Sequence, residues 1–493
     1  MKRKFLTNLL LLLFLNLLVK PFWILGIDLS VQNAVGTEEY GFYFSLFSLS
    51  VLLNIVLDMG ITQYNTRAVA RDPGRLARYL PGIAVLKLLL AIVYACLCLG
   101  AGLLLGYSRA QFAMLGVLVF NQFLASFLLY LRSNLAGLHL FRTDSILSVT
   151  DRLIMIVVCG LLLWGGVTDR PFRIEWLVYA QTFSYLLTLG TAWLLVRRQA
   201  GKVRPVAEAA LWKGIFRKSL PFALLVLLMA MYYRVDSVML ERMLPDGKYQ
   251  AGLYAQAFRL LDTMGMFAFL FASLLLPIFS RMIRKGERTD ELVGFAFRLL
   301  MVPSFIISST LIFFREPVMD MLYRGSTAIS GTILAILMVA FLGAAAGYIF
   351  GTLLTANGSL KVLNILAFLA LTGNVILNLF WIPRYGATGS ALASMITQLT
   401  VSLLQFVMVC RIMHLKVRHT RWLPWVLFLA ITPGTGWILS SVAAIPFWPA
   451  FAASVALPVL LSLILRLIPF REILRILLSG RDEEGGYHTA YPI

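Results

Sequence analysis

The 493 residues are 60% hydrophobic and only 13% charged, with a mean hydropathy of +0.85. Apolar runs long enough to cross a hydrocarbon layer of about 30 Å recur from end to end, which excludes a soluble domain and defines a polytopic membrane protein. The net charge of +20 does not point to nucleic acid, because most of the 43 Lys and Arg residues fall in connections on one side of the expected spans.

With no water in the bilayer core, Leu-rich spans of this length must be helices, since barrel strands would be about ten residues and alternating. Lys2-Arg3-Lys4 before a Leu-rich run looks like the start of a signal peptide. Lys20-Pro21 follows that run, however, and no small-residue cleavage site does, so a first transmembrane helix over 5–34 is expected. Further spans are expected near 41–66, 80–106, 110–135, 145–167 and 174–196, which returns the chain to its starting side. The link that follows carries Arg197, Arg198, Lys202, Arg204, Lys213, Arg217 and Lys218 against the single acid Glu208.

A second set of spans is expected near 219–240, 251–280, 292–314, 328–356, 361–383 and 386–412, with a final pair near 422–444 and 447–469. The expected organisation is therefore an N-terminal six-helix bundle over 1–200, a basic cytoplasmic linker over 201–218 and a C-terminal six-helix bundle over 219–414. An additional helix pair over 415–470 and a cytoplasmic tail over 471–493 complete it. Arg71, Arg75 and Arg78, then Arg281, Arg284, Lys285 and Arg288, then Arg411, Lys416, Arg418 and Arg421 share one side, which puts both termini in the cytoplasm.

An internal repeat supports the two-bundle division. Tyr40-Gly41-Phe42-Tyr43 is echoed by Ala251-Gly252-Leu253-Tyr254 at an offset of 211 residues, and the same offset carries Trp176 onto Ala387. Because six is even, the two blocks enter from the same side, as parallel repeats about an axis along the membrane normal. Two such bundles enclose a central cavity.

Ionisable residues inside spans cost roughly 2.5–3.5 kcal/mol each on insertion scales, and they face protein or a wet cavity. Six bases are embedded here: Lys20, Lys87, Arg152, Arg234, Arg259 and Arg298. Counting along helices at about 1.5 Å per residue puts Lys87, Arg152 and Arg298 nearer the cytoplasm, and Lys20, Arg234 and Arg259 nearer the outer face. Two cationic levels that hand over an anion are one reading. The other is helix cohesion, in which Asp28, Asp58, Asp151, Asp236 and Asp262 pair with these bases. Arg234 and Asp236 lie on different helix faces, so each needs a partner from elsewhere; Arg259 and Asp262 share a face. Asp58 is expected to pair with nearby Arg67, and Asp236 to serve either in pairing or as a site for a coupling proton or sodium ion.

Other chemistry is poorly represented. Cys96, Cys98, Cys159 and Cys410 lie in apolar spans at no zinc spacing, His139, His414, His419 and His488 form no catalytic constellation, and no nucleotide-binding glycine loop is present. No cofactor, metal or enzymatic activity is expected. Tyr232, Tyr233, Tyr254 and Phe258 are candidates for stacking on sugar rings or for interfacial anchoring. Gly343, Gly347 and Gly351 form a ridge for close helix packing, and Pro21, Pro221 and Pro303 are candidate kink points.

Three stretches carry a family resemblance: Leu353-Leu354-Thr355-Ala356-Asn357-Gly358-Ser359-Leu360-Lys361; Asn374-Val375-Ile376-Leu377-Asn378; and Ile382-Pro383-Arg384-Tyr385-Gly386-Ala387-Thr388-Gly389-Ser390-Ala391. With Val35-Gly36-Thr37-Glu38-Glu39-Tyr40-Gly41, Asp58-Met59-Gly60, Thr66-Arg67 and Arg234-Val235-Asp236, they are similar to the polysaccharide-transport and O-antigen-type flippases of the multidrug/oligosaccharidyl-lipid/polysaccharide exporter superfamily. The chain departs where that family often carries Arg three positions before the glycine matching Gly36; here Asn33 stands. The resemblance implies fourteen helices in a V-shaped, two-lobed transporter of the bacterial inner membrane. It also implies an undecaprenyl-diphosphate-linked oligosaccharide as substrate, moved from the cytoplasmic to the outer leaflet for lipopolysaccharide or other surface polysaccharides, with membrane lipids and polymerase or assembly proteins as partners. The rival expectations are a drug/cation antiporter of the same superfamily and a membrane-embedded acyl- or glycosyltransferase.

Overall fold

The computed structural model describes residues 18–201, 209–414, 422–442 and 444–467. The Lys2-Arg3-Lys4 start, Lys202, Arg204 and Glu208 of the linker, Lys416, Arg418, Arg421 and the tail over 471–493 lie outside them. So do the side chains of Arg67, Arg75, Arg78, Lys213, Arg217, Lys218 and Pro221.

The described residues are helical throughout, with no strand among them. The first helix passes through a π-helical stretch, Trp23–Asp28, into α1 (Leu29–Val35). Then come α2 (Thr37–Leu52), α3 (Ile61–Arg71), α4 (Arg75–Leu104), α5 (Arg109–Gly137), α6 (Phe141–Trp164) and α7 (Ile174–Ala200). The second half comprises α8 (Ala209–Met243), α9 (Gly247–Arg284), α10 (Asp290–Phe313), the short α11 (Arg315–Leu322), α12 (Ala328–Ala356) and α13 (Leu360–Met413). Last come α14 (Trp422–Ser441) and α15 (Phe447–Ile464), which pack together and on α10.

Among the described residues, ten helices are long and apolar enough to cross a membrane. α13, at 54 residues, contains two passes: Gly386 interrupts it with φ 55°, and a Cβ on Gly389 would lie 2.4 Å from the Trp381 carbonyl, so the chain doubles back tightly. The expected division at 361–383 and 386–412 coincides with this turn.

The expected unbroken second span is corrected. It divides into α2, a 3₁₀ turn at Asn54–Leu57 and α3, with positive φ at Met59 and Gly60. Asp58 explains the break. Its carboxylate accepts from the Thr62 backbone N–H (3.3 Å) and hydroxyl at the start of α3, while the buried Leu57 carbonyl accepts from Ser126 Oγ at 3.2 Å.

The repeat becomes visible as a contact. α2 crosses both α8 and α9 of the second half. A Cβ on Gly41 would lie 1.9 Å from the Lys248 carbonyl, and one on Gly252 would lie 2.0 Å from the Thr37 carbonyl. Thr37 and Lys248 are again 211 apart, so the two helices meet reciprocally across the pseudo-twofold axis. Gly343 behaves as the ridge predicts, with its Cβ position 2.9 Å from the Gln398–Leu399 backbone; Gly347 faces the Gln405 side chain.

Candidate functional site: a charged cavity between the bundles

Beneath the α2–α9 crossing lies a cavity of about 470 Å³ that takes its walls from both halves of the chain. Lys20, Arg152, Arg234 and Arg259 all line it, with Asp28 and Asp262. Of the three bases expected nearer the cytoplasm, only Arg152 joins the three expected nearer the outer face at this cavity. Lys87 and Arg298 do not line it.

Arg259, on α9, reaches across to the first helix. Its Nε lies 2.7 Å from Asp28 Oδ2 and donates to the Tyr40 hydroxyl at 2.9 Å, while Tyr40 donates to the same carboxylate at 2.6 Å. The π-helical turn ends at Asp28 and so sets which face carries this carboxylate, a common role for such turns. On the other side Asp262 Oδ2 is shared, 3.7 Å from Arg259 Nη1 and 3.2 Å from Arg234 Nη2. Arg234 lies over the Phe258 ring at 5.1 Å, and its Nη1 is buried without a hydrogen bond. Arg152 sits 3.7 Å from Asp151 and stacks near Trp23 and Tyr185 at 5.7 and 5.9 Å. Four bases face three acids, Asp28, Asp151 and Asp262, which leaves one positive charge over.

Lys87 is 1% exposed, and its amine holds Asp58 at 2.6 Å and Ser126 Oγ at 2.9 Å. Lys87, from the next span, is thus a partner of Asp58; the expected partner Arg67 has its side chain outside the described residues. Arg298 is half-buried on α10, with Nε unbonded. Of the four candidate stacking aromatics only Tyr233 lines the cavity; Tyr254 and Phe258 are buried in the core.

Asp236 lies apart from the cavity, 1% exposed. It accepts from Asn378 Nδ2 at 2.7 Å, Tyr254 OH at 2.9 Å and the Ser394 hydroxyl. Beside it Asn378 Oδ1 and, bonded to Asn378, Asn374 Nδ2 are buried with no partner. These neighbours carried no assigned role in the sequence, although Asn374 and Asn378 at i, i+4 in an apolar span are the signal that finds them.

Polar contacts outside the cavity lining also join the two halves. Asn33 donates to the Leu322 carbonyl at 2.7 Å and accepts from Arg324 N at 3.0 Å. Gln111 donates to Glu241 at 2.8 Å, and Arg242 donates to the Leu105 carbonyl at 2.9 Å while covering the Tyr107 ring at 4.6 Å. Asn33, the position where the family pattern often has Arg, thus binds backbone and leaves the cavity to other bases.

The fold and the site define a class, an all-helical membrane protein with two repeated bundles around a charged cavity. Within it, the chain belongs to the polysaccharide biosynthesis protein family, whose model matches residues 5–283, more than half the chain. It is 25% identical over 248 residues to the capsular polysaccharide biosynthesis protein CapF of Staphylococcus aureus, a match covering 50% of this chain and 61% of CapF. Its fold is similar to the lipid II flippase MurJ in an inward closed conformation, with a TM-score of 0.67 at 16% identity over 93% of this chain and 99% of MurJ. A MATE multidrug resistance transporter in an inward-facing conformation gives a TM-score of 0.58 at 17% identity over 80% of this chain and 94% of that one.

Proposed function

We propose that the protein is a flippase that moves polyprenyl-diphosphate-linked oligosaccharide from the cytoplasmic to the outer leaflet by alternating access. The observation that carries this reading is the convergence of Lys20, Arg152, Arg234 and Arg259 on one inter-bundle cavity. The lipid tail needs no protein path, whereas the diphosphate and its glycan need a wet one with cations. A diphosphate has several acceptor oxygens for guanidinium groups. It competes with Asp28 and Asp262 for Arg259 and Arg234, and taking Arg259 from Asp28 breaks a bond between the halves directly below the glycine crossing. Binding is thereby coupled to opening of the outer end.

The family membership and the names of CapF and MurJ support a polysaccharide precursor as cargo; bacterial inner-membrane location, cytoplasmic termini, and polymerase or assembly partners belong to the same proposal. The antiporter alternative is disfavoured by the excess of bases over acids around the cavity. Asp236 is proposed as the coupling-ion site, supported by its burial and by the unpartnered Oδ1 of Asn378, the residue that donates to its carboxylate. The test is translocation of a fluorescent undecaprenyl-diphosphate oligosaccharide in proteoliposomes. Wild type is expected to flip it, and Arg234→Ala is expected to lose at least about tenfold in rate, the equivalent of one charge-assisted contact. Exchange of an organic cation for protons, with no lipid movement, would establish the antiporter instead.

A further inference from the structure

A second cavity, of about 520 Å³, shares no lining residue with the first and lies where the C-terminal helix pair meets the second bundle. Its walls are helix ends: the end of α10, the first turn of α11, the end of α14 and the start of α15. Spans end where hydrocarbon ends, so this is a membrane–water boundary. Phe314 seals the inner wall through edge contacts with Phe447 and Phe451, centroids 6.1 and 5.7 Å away. Trp437 and Trp448, 62% and 63% exposed at the same level, sit as indoles do at headgroup depth.

Two opposite charges on consecutive residues, Arg315 and Glu316, line this cavity. They hold each other only loosely, Nη2 to Oε1 at 3.8 Å. Arg315 Nη1 makes one long bond, 3.5 Å to the Ile312 carbonyl, and its Nε is buried with no partner. A guanidinium offers five donors, so this one is left short of acceptors.

We propose that this cavity binds a zwitterionic phospholipid headgroup, with the phosphate on Arg315 and the ammonium on Glu316 and the flanking Trp437 ring. A headgroup carrying both charges matches the pair, whereas a purely anionic one meets the Glu316 carboxylate, and an aromatic face attracts an ammonium. The lipid bridges the C-terminal pair to the second bundle. The inference stands independently of the transported substrate.

The test is native mass spectrometry of the purified full chain with phosphatidylethanolamine or phosphatidylglycerol of matched acyl chains. Wild type is expected to retain phosphatidylethanolamine preferentially. Arg315→Gln should weaken that retention about tenfold, as expected for a lost charge-assisted contact, and Glu316→Gln should abolish the preference between the two lipids. Equal retention of both by wild type overturns the proposal, as does a preference that survives Glu316→Gln, the variant that serves if Arg315→Gln fails to fold.

Discussion

Asp28 and Arg259 show at the scale of single residues why a base in a span has two readings at once. Their 2.7 Å bond satisfies the demand for a partner, yet it lies on the cavity wall where a stronger acceptor can replace the carboxylate. Removing one member of a buried pair costs roughly 3–5 kcal/mol because the other charge is stranded. Arg259→Ala is therefore expected to lower the melting temperature, and Asp28→Asn combined with it to restore most of the loss, while translocation stays absent in both. Restored transport in the double variant would make Arg259 a purely structural residue. Asp236→Asn should keep the hydrogen bonds to Tyr254 and Ser394 but remove the charge; the expected outcome is turnover that no longer responds to an imposed ion gradient. The bases of the site were legible because charges are conspicuous in apolar sequence. Their partners were legible only in part: Asp58 looks nearest to Arg67 along the chain, and only the packing of α4 on α5 and the broken span brings Lys87 to it.

At the scale of elements, the interrupted helices differ in how openly the sequence announces them. The turn at Gly386 follows Pro383 and comes where a single helix would exceed twice the bilayer thickness, so length alone demands it. The break at Asp58-Met59-Gly60 sits inside a run of ordinary span length and depends on a cap and a distant lysine. Lys87→Met should destabilise the first bundle, measured as a lower melting temperature, with Asp58→Asn recovering part of it. The reciprocal glycines yield the sharpest prediction here. Any side chain at Gly41 or Gly252 collides with backbone, which cannot yield as a flexible side chain can. Gly252→Val is expected to hold the two halves apart at the crossing, seen as a longer spin-label distance between positions 169 and 320. An unchanged distance would mean that the crossing is not a gate.

Across the whole molecule the repeat is what ties sequence to mechanism. The offset of 211 residues is visible in the sequence, but that its glycines touch each other follows only from the axis relating the two bundles. The glycine contact, Asn33 and the Glu241–Arg242 cluster all join the two halves. Under the proposed function, anion binding at Arg259 is coupled to release of these contacts. The decisive measurement is the same spin-label distance in the wild-type protein, in lipid nanodiscs, before and after adding undecaprenyl diphosphate bearing an oligosaccharide. The account predicts a shift toward the longer distance that is lost in Arg259→Ala. No shift in wild type, with binding demonstrated in the same sample, would contradict it.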